Sequence, residues 1–255
     1  MKLHYIGLAF VMVFASFFTA NAQEEDKNLF NHLSVGITAG TPGIGVDVAM
    51  PIGHYVQARA GFATFPKIGV STDLDISSVG VPGYSFPESV GIEAKTGFTN
   101  GKVLVDVYPF RSSSFHVTAG AYFGSSTIVK AYNKENGILK DLADYNAMAP
   151  ESEQIGYELG DYLLKPDAEG NINAKIETAA FKPYVGLGFG RAVPNKRIGF
   201  MFELGCMFWN SPELYCNQDK LTAENVGGDE GGIIKTMSKI TVYPVLNFRL
   251  CGKIF

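Results

Sequence analysis

Apolar and polar side chains alternate along most of this chain, and this period of two limits its possible folds more than any other feature. Between Phe115 and Phe123 the odd-numbered residues are Phe, Val or Ala, whereas the even-numbered residues are His, Thr, Gly and Tyr. Successive side chains of a β-strand point to opposite faces of the sheet, so the pattern is typical of strands with one apolar face. The sequence therefore predicts an all-β protein.

Eight segments share this alternation. Their apolar phase carries no charge over roughly nine to eleven residues, which is the length that a tilted strand needs to cross a bilayer. We therefore predict an antiparallel up-and-down transmembrane β-barrel of eight strands. The segments lie within residues 33–39, 44–50, 56–62, 103–107, 115–123, 181–189, 198–208 and 240–250.

The connections between these segments alternate in length. Short turns on one side and long loops on the other are typical of outer-membrane barrels, whose short side faces the periplasm. We expect the long loops to be extracellular, where they would offer docking surfaces for a ligand. The short connections are residues 51–54, 109–114 and 193–197, and the long ones are residues 65–101, 130–180 and 210–236.

The loop of residues 130–180 has two segments with an apolar stripe at helical spacing, at 134–146 and 153–164. Stripes of this kind predict short helices that pack over the mouth of the barrel.

The number of strands has one alternative. Asn100-Gly101 is a strong hairpin signal, and residues 92–98 alternate well enough to form a strand of their own. That hairpin alone would give nine strands, whereas barrels of this kind have an even number. We therefore favour a long fourth strand with a bulge or kink at Gly101, and ten strands remain the alternative.

The first residues predict export. Lys2 precedes an apolar run from Tyr5 to Phe18, which Ala20-Asn21-Ala22 follows. This order is typical of a secretory signal peptide, so we predict a signal peptide over residues 1–22 and a barrel domain over residues 23–255. Nucleic acid is not an expected partner, because the formal net charge is −4. The three cysteines are too widely spaced to indicate a disulfide framework.

Charged residues also occupy the inward phase of the predicted strands. The interior of an eight-stranded barrel has room only for its own side chains, so we expect these charges to pair with one another. The favoured interpretation is an ion-pair network that plugs the barrel, and the alternative is a path for protons or ions. The predicted members are Asp47, Arg59, Asp106, Lys182, Arg197, Glu203 and Arg249.

No residue pattern predicts a metal, a cofactor or a catalytic site. His32, His54 and His116 fall near the starts of separate strands without metal-binding spacing, and we expect them near the periplasmic rim. His116 has Ser114 and Thr118 nearby in sequence, but no third residue that would orient it as a base. The chain is therefore not expected to be an enzyme.

The segments Val103–Phe110 and Ser114–Gly120, together with the terminal Phe255, resemble small eight-stranded outer-membrane β-barrel proteins of the OmpA/OmpW-like group. The resemblance implies residence in the outer membrane of a Gram-negative bacterium, in contact with its lipid. It also implies insertion by the barrel assembly machinery, which recognises a last strand that ends in an aromatic residue. Phe255 matches that assembly signal.

Together these observations predict a structural or interaction protein of the outer membrane, with a largely plugged lumen and long surface loops. Three alternatives stay open. The first is a porin-like conduit for small solutes or hydrophobic compounds, and the second is an outer-membrane enzyme that modifies lipid. The third is a soluble, lipocalin-like barrel in the periplasm, whose apolar phase would point inward.

Overall fold

The computed structural model describes residues 30–75, 83–84, 86–159, 162–217, 219–221 and 240–254. The predicted signal peptide and Phe255 lie outside these residues. Within them are one α-helix, α1 (Lys140–Met148), and a short 3-10 helix (Glu151–Glu153). The strands are β1 (Ser34–Gly40), β2 (Gly43–Pro51), β3 (Val56–Thr64), β4 (Ile68–Asp75), β5 (Ser89–Thr96), β6 (Thr99–Val107), β7 (Phe115–Gly124), β8 (Thr127–Asn133), β9 (Tyr157–Leu159), β10 (Tyr162–Leu164), β11 (Asn173–Glu177), β12 (Phe181–Phe189), β13 (Ile198–Phe208), β14 (Glu213–Cys216), β15 (Asp219–Lys220) and β16 (Val242–Lys253).

Eight of these strands close into an antiparallel barrel in the order β1-β16-β13-β12-β7-β6-β3-β2. The first and last barrel strands seal it, with pairs running from Ser34 opposite Lys253 to Gly40 opposite Asn247. A closed ring pairs the backbone groups of every strand with its neighbours and leaves no open edge. The predicted eight-stranded barrel is confirmed.

The alternation of the sequence separates the outer surface of the barrel from its interior. Phe200 and Leu250 face outward and are 59% and 53% exposed, whereas their chain neighbours Met201 and Arg249 face inward and are each 1% exposed. The apolar phase therefore points away from the barrel axis, which is opposite to the lipocalin-like arrangement.

The two ends of the barrel differ as predicted. At one end, β2 to β3, β6 to β7 and β12 to β13 are joined by residues 52–55, 108–114 and 190–197. At the other end, β1 and β2 are joined by Thr41 and Pro42, and the remaining three connections are long. We call these the short-turn end and the loop end.

The described residues of the three long connections contain strands, which the prediction of long loops at residues 65–101, 130–180 and 210–236 did not include. They contribute strands to a second, six-stranded sheet in the order β15-β14-β11-β8-β5-β4, which we call the outer sheet. Backbone hydrogen bonds also pair the short segments that join it to the barrel, among them Phe65 N–H to Phe98 C=O at 2.8 Å and Thr178 N–H to Ser126 C=O at 2.8 Å.

The predicted long fourth strand is wrong. The strand breaks at Gly97-Phe98, where β5 ends in the outer sheet and β6 begins in the barrel. Gly101 is no bulge and turns no hairpin, because it pairs regularly with Phe62 and Phe123. A Cβ atom at Gly101 would lie 2.6 Å from the Phe123 ring, so the glycine makes room for that ring.

Only one of the two predicted helices forms in the long segment. Helix α1 overlaps the predicted segment 134–146 only from residue 140 onward, and residues 153–164 contain the antiparallel pair β9 and β10 instead. Tyr157 and Leu164 of that pair are buried in the apolar core of the outer sheet. The apolar residues of segment 153–164 therefore belong to a β-hairpin that packs on the outer sheet. That core also contains Val90, Ile92, Leu139, Leu142, Ile172 and Cys216.

No helix in the described part of the chain is long and apolar enough to cross a membrane.

Candidate functional site in the barrel interior

A fully enclosed arginine on β3 connects two acidic side chains of other strands. Arg59 Nη2 lies 2.7 Å from Asp106 Oδ1 on β6, and the same nitrogen contacts Glu203 Oε2 on β13. All three residues are at most 1% exposed. Because burial removes the hydration of each charge, the pairing compensates a desolvation cost that an unpaired charge would suffer in full.

A second group of charges surrounds Asp47 on β2. Arg249 Nε on β16 donates to Asp47 Oδ1 at 2.6 Å, and Lys102 Nζ on β6 lies 2.8 Å from Asp47 Oδ2. Together with the Arg59 group, the interior holds three acids and three bases that pair directly, so their formal charges cancel. We call these six residues the ion-pair network: Asp47, Arg59, Lys102, Asp106, Glu203 and Arg249.

Polar side chains of β7 and β12 complete the environment of Glu203. Tyr184 donates its hydroxyl to Glu203 Oε1 at 2.7 Å, and Thr118 Oγ1 lies 2.9 Å from Glu203 Oε2. His116 Nε2 lies 3.5 Å from the same Oε2 atom. Together with Arg59 on β3, these contacts hold the carboxylate from three strands of the barrel, β3, β7 and β12.

The structure brings together five of the seven residues predicted for the interior. Lys182 is buried but lies apart, near the loop end, where it donates to Asn100 Oδ1 at 3.1 Å and to Ser125 C=O at 2.8 Å. Arg197 is exposed in the turn before β13 and does not join the network, which corrects its assignment. The five that meet are Asp47, Arg59, Asp106, Glu203 and Arg249.

Sequence reasoning missed Lys102 and misplaced His116. Lys102 lies four residues before Asp106 on β6, so both side chains face the interior, and this spacing would have identified Lys102 as a member of the network. His116 was expected at the rim, but it is fully buried, with its ring 5.4 Å from that of Tyr108. The three histidines do not meet, because His54 is exposed in the turn that precedes β3.

The ligand atoms of Asp106, His116 and Glu203 lie within 4.8 Å of one another, as metal ligands would. The Arg59 guanidinium already binds both carboxylates, so a divalent cation placed there would face a fixed positive charge. The donor set therefore suits an ion-pair network better than a metal centre.

Inward glycines make room for the long side chains of the network. A Cβ atom at Gly36 would lie 2.3 Å from Arg249 Nε, and one at Gly188 would lie 2.6 Å from His116 Nε2. Glycine in a strand commonly marks such a close approach.

The turn between β12 and β13 folds back into the short-turn end of the barrel. Ala192 and Val193 are 0% and 4% exposed. Val193 N–H donates to Gln57 Oε1 at 2.8 Å, and the Ala192 carbonyl accepts from Arg249 Nη1 at 2.7 Å. The turn, which we call the plug turn (residues 190–197), is thus bonded to the ion-pair network. An apolar Ala-Val pair beside a proline was the only sequence sign of it.

Apolar and aromatic side chains fill the interior between the network and the loop end. The rings of Tyr122 and Tyr184 meet edge to face with centroids 5.4 Å apart. Trp209 and Tyr243 form a further pair nearer the loop end, at 4.7 Å. From the network toward the loop end, the interior is therefore occupied by the ion-pair network, then by the Tyr122–Tyr184 pair and then by the Trp209–Tyr243 pair. Leu104, Met207 and Val245 pack against the two tyrosines.

Comparison with known proteins gives a similarity in fold. The crystal structure of Acinetobacter baumannii CarO has a TM-score of 0.47 and 16% identity, over 89% of this chain and 99% of that one. The crystal structure of Acinetobacter baumannii CarO2 has a TM-score of 0.46 and 17% identity, over 87% and 98%. No family model and no curated protein matches this chain.

Proposed function

We propose that this chain is an outer-membrane barrel protein that conducts no solute and instead carries the outer sheet at the cell surface, in a structural or interaction role. The observation that supports the proposal is the packing of the barrel interior, in which paired charges, aromatic rings and the plug turn occupy successive levels.

The outer surface of the barrel supports a membrane location. Its side chains are apolar along whole strands, as with Val46 and Phe200, which are 40% and 59% exposed. Water would solvate such a surface poorly, whereas acyl chains match it. Phenylalanine pairs mark both ends of this belt, with Phe115 opposite Phe189 and Phe123 opposite Phe181.

The ion-pair network supports a closed lumen. An eight-stranded barrel has little space beyond its own side chains, and here long arginines and a lysine span it. A path through the lumen would need the pairs of Arg59 and Asp47 to separate in a buried setting, where breaking a pair is costly. The plug turn would have to leave as well, since it bonds to Arg249.

The position of His116 argues against lipid modification. A lipid-modifying site must face the acyl chains or headgroups around the barrel. His116 points into the barrel and lies beside Tyr108 and Glu203, where such a substrate has no access. This favours the structural role over the enzymatic alternative.

The outer sheet supports an interaction role. Its own apolar core gives it a fixed shape, and rigid surfaces on the exposed side of a barrel are common places for recognition.

Conductance in planar bilayers tests the closed lumen. We expect purified wild-type protein to show no steady current, and we expect the same from a variant with Lys196→Gln in the plug turn as a handling control. A steady current through wild-type protein would contradict the proposal and favour the conduit. Insertion is verified in the same preparation by heat-modifiable mobility, so an empty bilayer is not mistaken for a closed barrel.

A further inference from the structure

Lysines on three adjacent strands of the outer sheet lie directly opposite one another. Lys95 on β5 pairs with Lys130 on β8, and Lys130 pairs with Lys175 on β11. The row continues through Tyr215 on β14 to Lys220 on β15. Like charges directly opposite in a sheet are destabilising, so this lysine row opposes the stability of the outer sheet.

Acidic side chains neutralise the row at every lysine except Lys130. Lys95 Nζ lies 3.1 Å from Glu93 Oε1, Lys175 Nζ lies 3.0 Å from Glu177 Oε1, and Lys220 Nζ lies 2.6 Å from Glu213 Oε1. Lys130 is exposed, and it has no carboxylate within ion-pair distance among the described residues. The row therefore keeps one uncompensated positive charge, at Lys130 between Lys95 and Lys175.

Two tyrosines lie along the same face. Lys95 Nζ is 4.9 Å from the ring centre of Tyr132, and Lys175 Nζ is 5.0 Å from that of Tyr215. The side chains of Val90, Ile92 and Cys216 pack in the apolar core on the other face. The lysine face is thus the polar face of the outer sheet, where one uncompensated lysine lies beside paired lysines and two aromatic rings.

We propose that the lysine row binds an acidic polysaccharide. Neighbouring strands lie about 4.8 Å apart, so the row spans roughly 19 Å from Lys95 to Lys220, a length that meets several sugar residues of one extended chain. Carboxylate or phosphate groups of that chain pair with the lysines, and its sugar rings stack on Tyr132 and Tyr215. A single lipid phosphate would use neither the length of the row nor its rings, so the glycan fits better than a lipid surface.

This inference rests on the proposed function only for the exposure of the outer sheet at the cell surface. Its test uses folded protein in detergent and therefore needs neither a membrane nor a closed lumen. A failure of binding and a failure of the conductance test are thus separate results.

The experiment measures the affinity of a fluorescently labelled oligogalacturonate by fluorescence anisotropy. We expect wild-type protein to bind it, and salt to weaken the binding, because exposed charges are screened. Lys130→Gln should weaken the affinity about threefold, as loss of an exposed ion pair does. The triple variant Lys95→Gln, Lys130→Gln, Lys175→Gln should lose binding.

Two controls separate recognition from folding and from general charge. Lys196→Gln, at the opposite end of the barrel, should bind like wild type. Lys130→Gln should leave the outer sheet at least as stable as before, because it removes one positive charge that lies opposite two others, Lys95 and Lys175. The proposal is overturned if oligogalacturonate does not bind, if Lys196→Gln weakens binding as much as Lys130→Gln, or if only vesicles of anionic lipid bind.

Discussion

Arg59 and Asp106 form an ion pair at 2.7 Å in the middle of the barrel, and neither side chain has any exposed surface. The same guanidinium also binds Glu203, so one arginine on β3 compensates two buried acids from β6 and β13. The interior of this barrel is therefore stabilised by charge pairing, in contrast to the apolar core of the outer sheet.

Replacement of Arg59 by methionine should destabilise the barrel strongly. Two carboxylates would then be buried without their main partner, and breaking a buried pair typically costs about 3–5 kcal/mol. The free energy of unfolding in urea, measured in lipid vesicles, checks this. Arg197→Met is the matched control, because Arg197 is exposed in the plug turn and should change stability by less than about 0.5 kcal/mol. Equal effects of the two variants would contradict the ion-pair network.

A charge on the outer surface of the barrel should prevent membrane insertion. Phe202 faces outward on β13, where its ring packs 5.2 Å from that of Phe248. Phe202→Arg would place a cation among acyl chains, at a cost of about 2–4 kcal/mol near the midplane. We expect the variant to lose heat-modifiable mobility on gels, whereas Phe202→Leu retains it. Normal insertion of Phe202→Arg would show that this surface does not contact lipid.

The thiol of Cys216 should react slowly with maleimide in the folded protein. The residue is 5% exposed in the core of the outer sheet, and burial raises the pKa of its thiol to about 11. Relative to an ordinary pKa of 9.0, this leaves roughly a hundredfold less reactive thiolate at neutral pH. Mass spectrometry of a Cys206→Ala, Cys251→Ala background follows the labelling.

Labelling of Cys216 should accelerate when urea unfolds the outer sheet. Rapid labelling in native buffer would mean that the core around Cys216 is open.

Acid should weaken the outer sheet. Hydrogen bonds from Tyr132 and Lys95 hold the pKa of Glu93 below its ordinary value, and bonds from Lys220 and Tyr215 do the same for Glu213. A lowered carboxyl pKa stabilises the fold above the ordinary value of 4.5, and that contribution is lost as the pH falls through the lowered value. We expect the thermal unfolding midpoint of the outer sheet to decrease as the pH is lowered from 5 to about 3.

The double variant Glu93→Gln, Glu213→Gln provides the comparison for this pH effect. Its outer sheet should show a smaller loss of thermal stability over the same pH range. If thermal stability decreased equally in wild type and variant, the acid sensitivity would come from groups other than Glu93 and Glu213.

Periodicity predicted the barrel well because one physical rule acts on every strand. Residues such as Val103 and Val105 face outward, and their neighbours Lys102 and Asp106 face inward, so each strand repeats the same pattern. The interior pairs of Asp47, Arg59 and Arg249 were predictable as a set for the same reason. Their exact partners were not, since these depend on the stagger between strands.

The outer sheet was not predicted, because apolar and polar residues alternate over shorter lengths in its strands and these strands pair with distant segments. Residues 92–98 were predicted to extend the following barrel strand, since nothing local distinguishes a break at Gly97-Phe98 from a bulge at Gly101. The plug turn was missed because its burial depends on contacts with Gln57 and Arg249, far away in sequence.

The orientation of β7 in a lipid bilayer tests the central claim most directly. Single spin labels would replace each residue from 115 to 123 in a cysteine-free background, and electron paramagnetic resonance would measure their collision rate with oxygen, which concentrates among acyl chains. The account predicts high rates at the odd positions, including Val117 and Ala119, and low rates at the even positions, including His116 and Thr118. A uniform profile, or one with its maxima at the even positions, would contradict it.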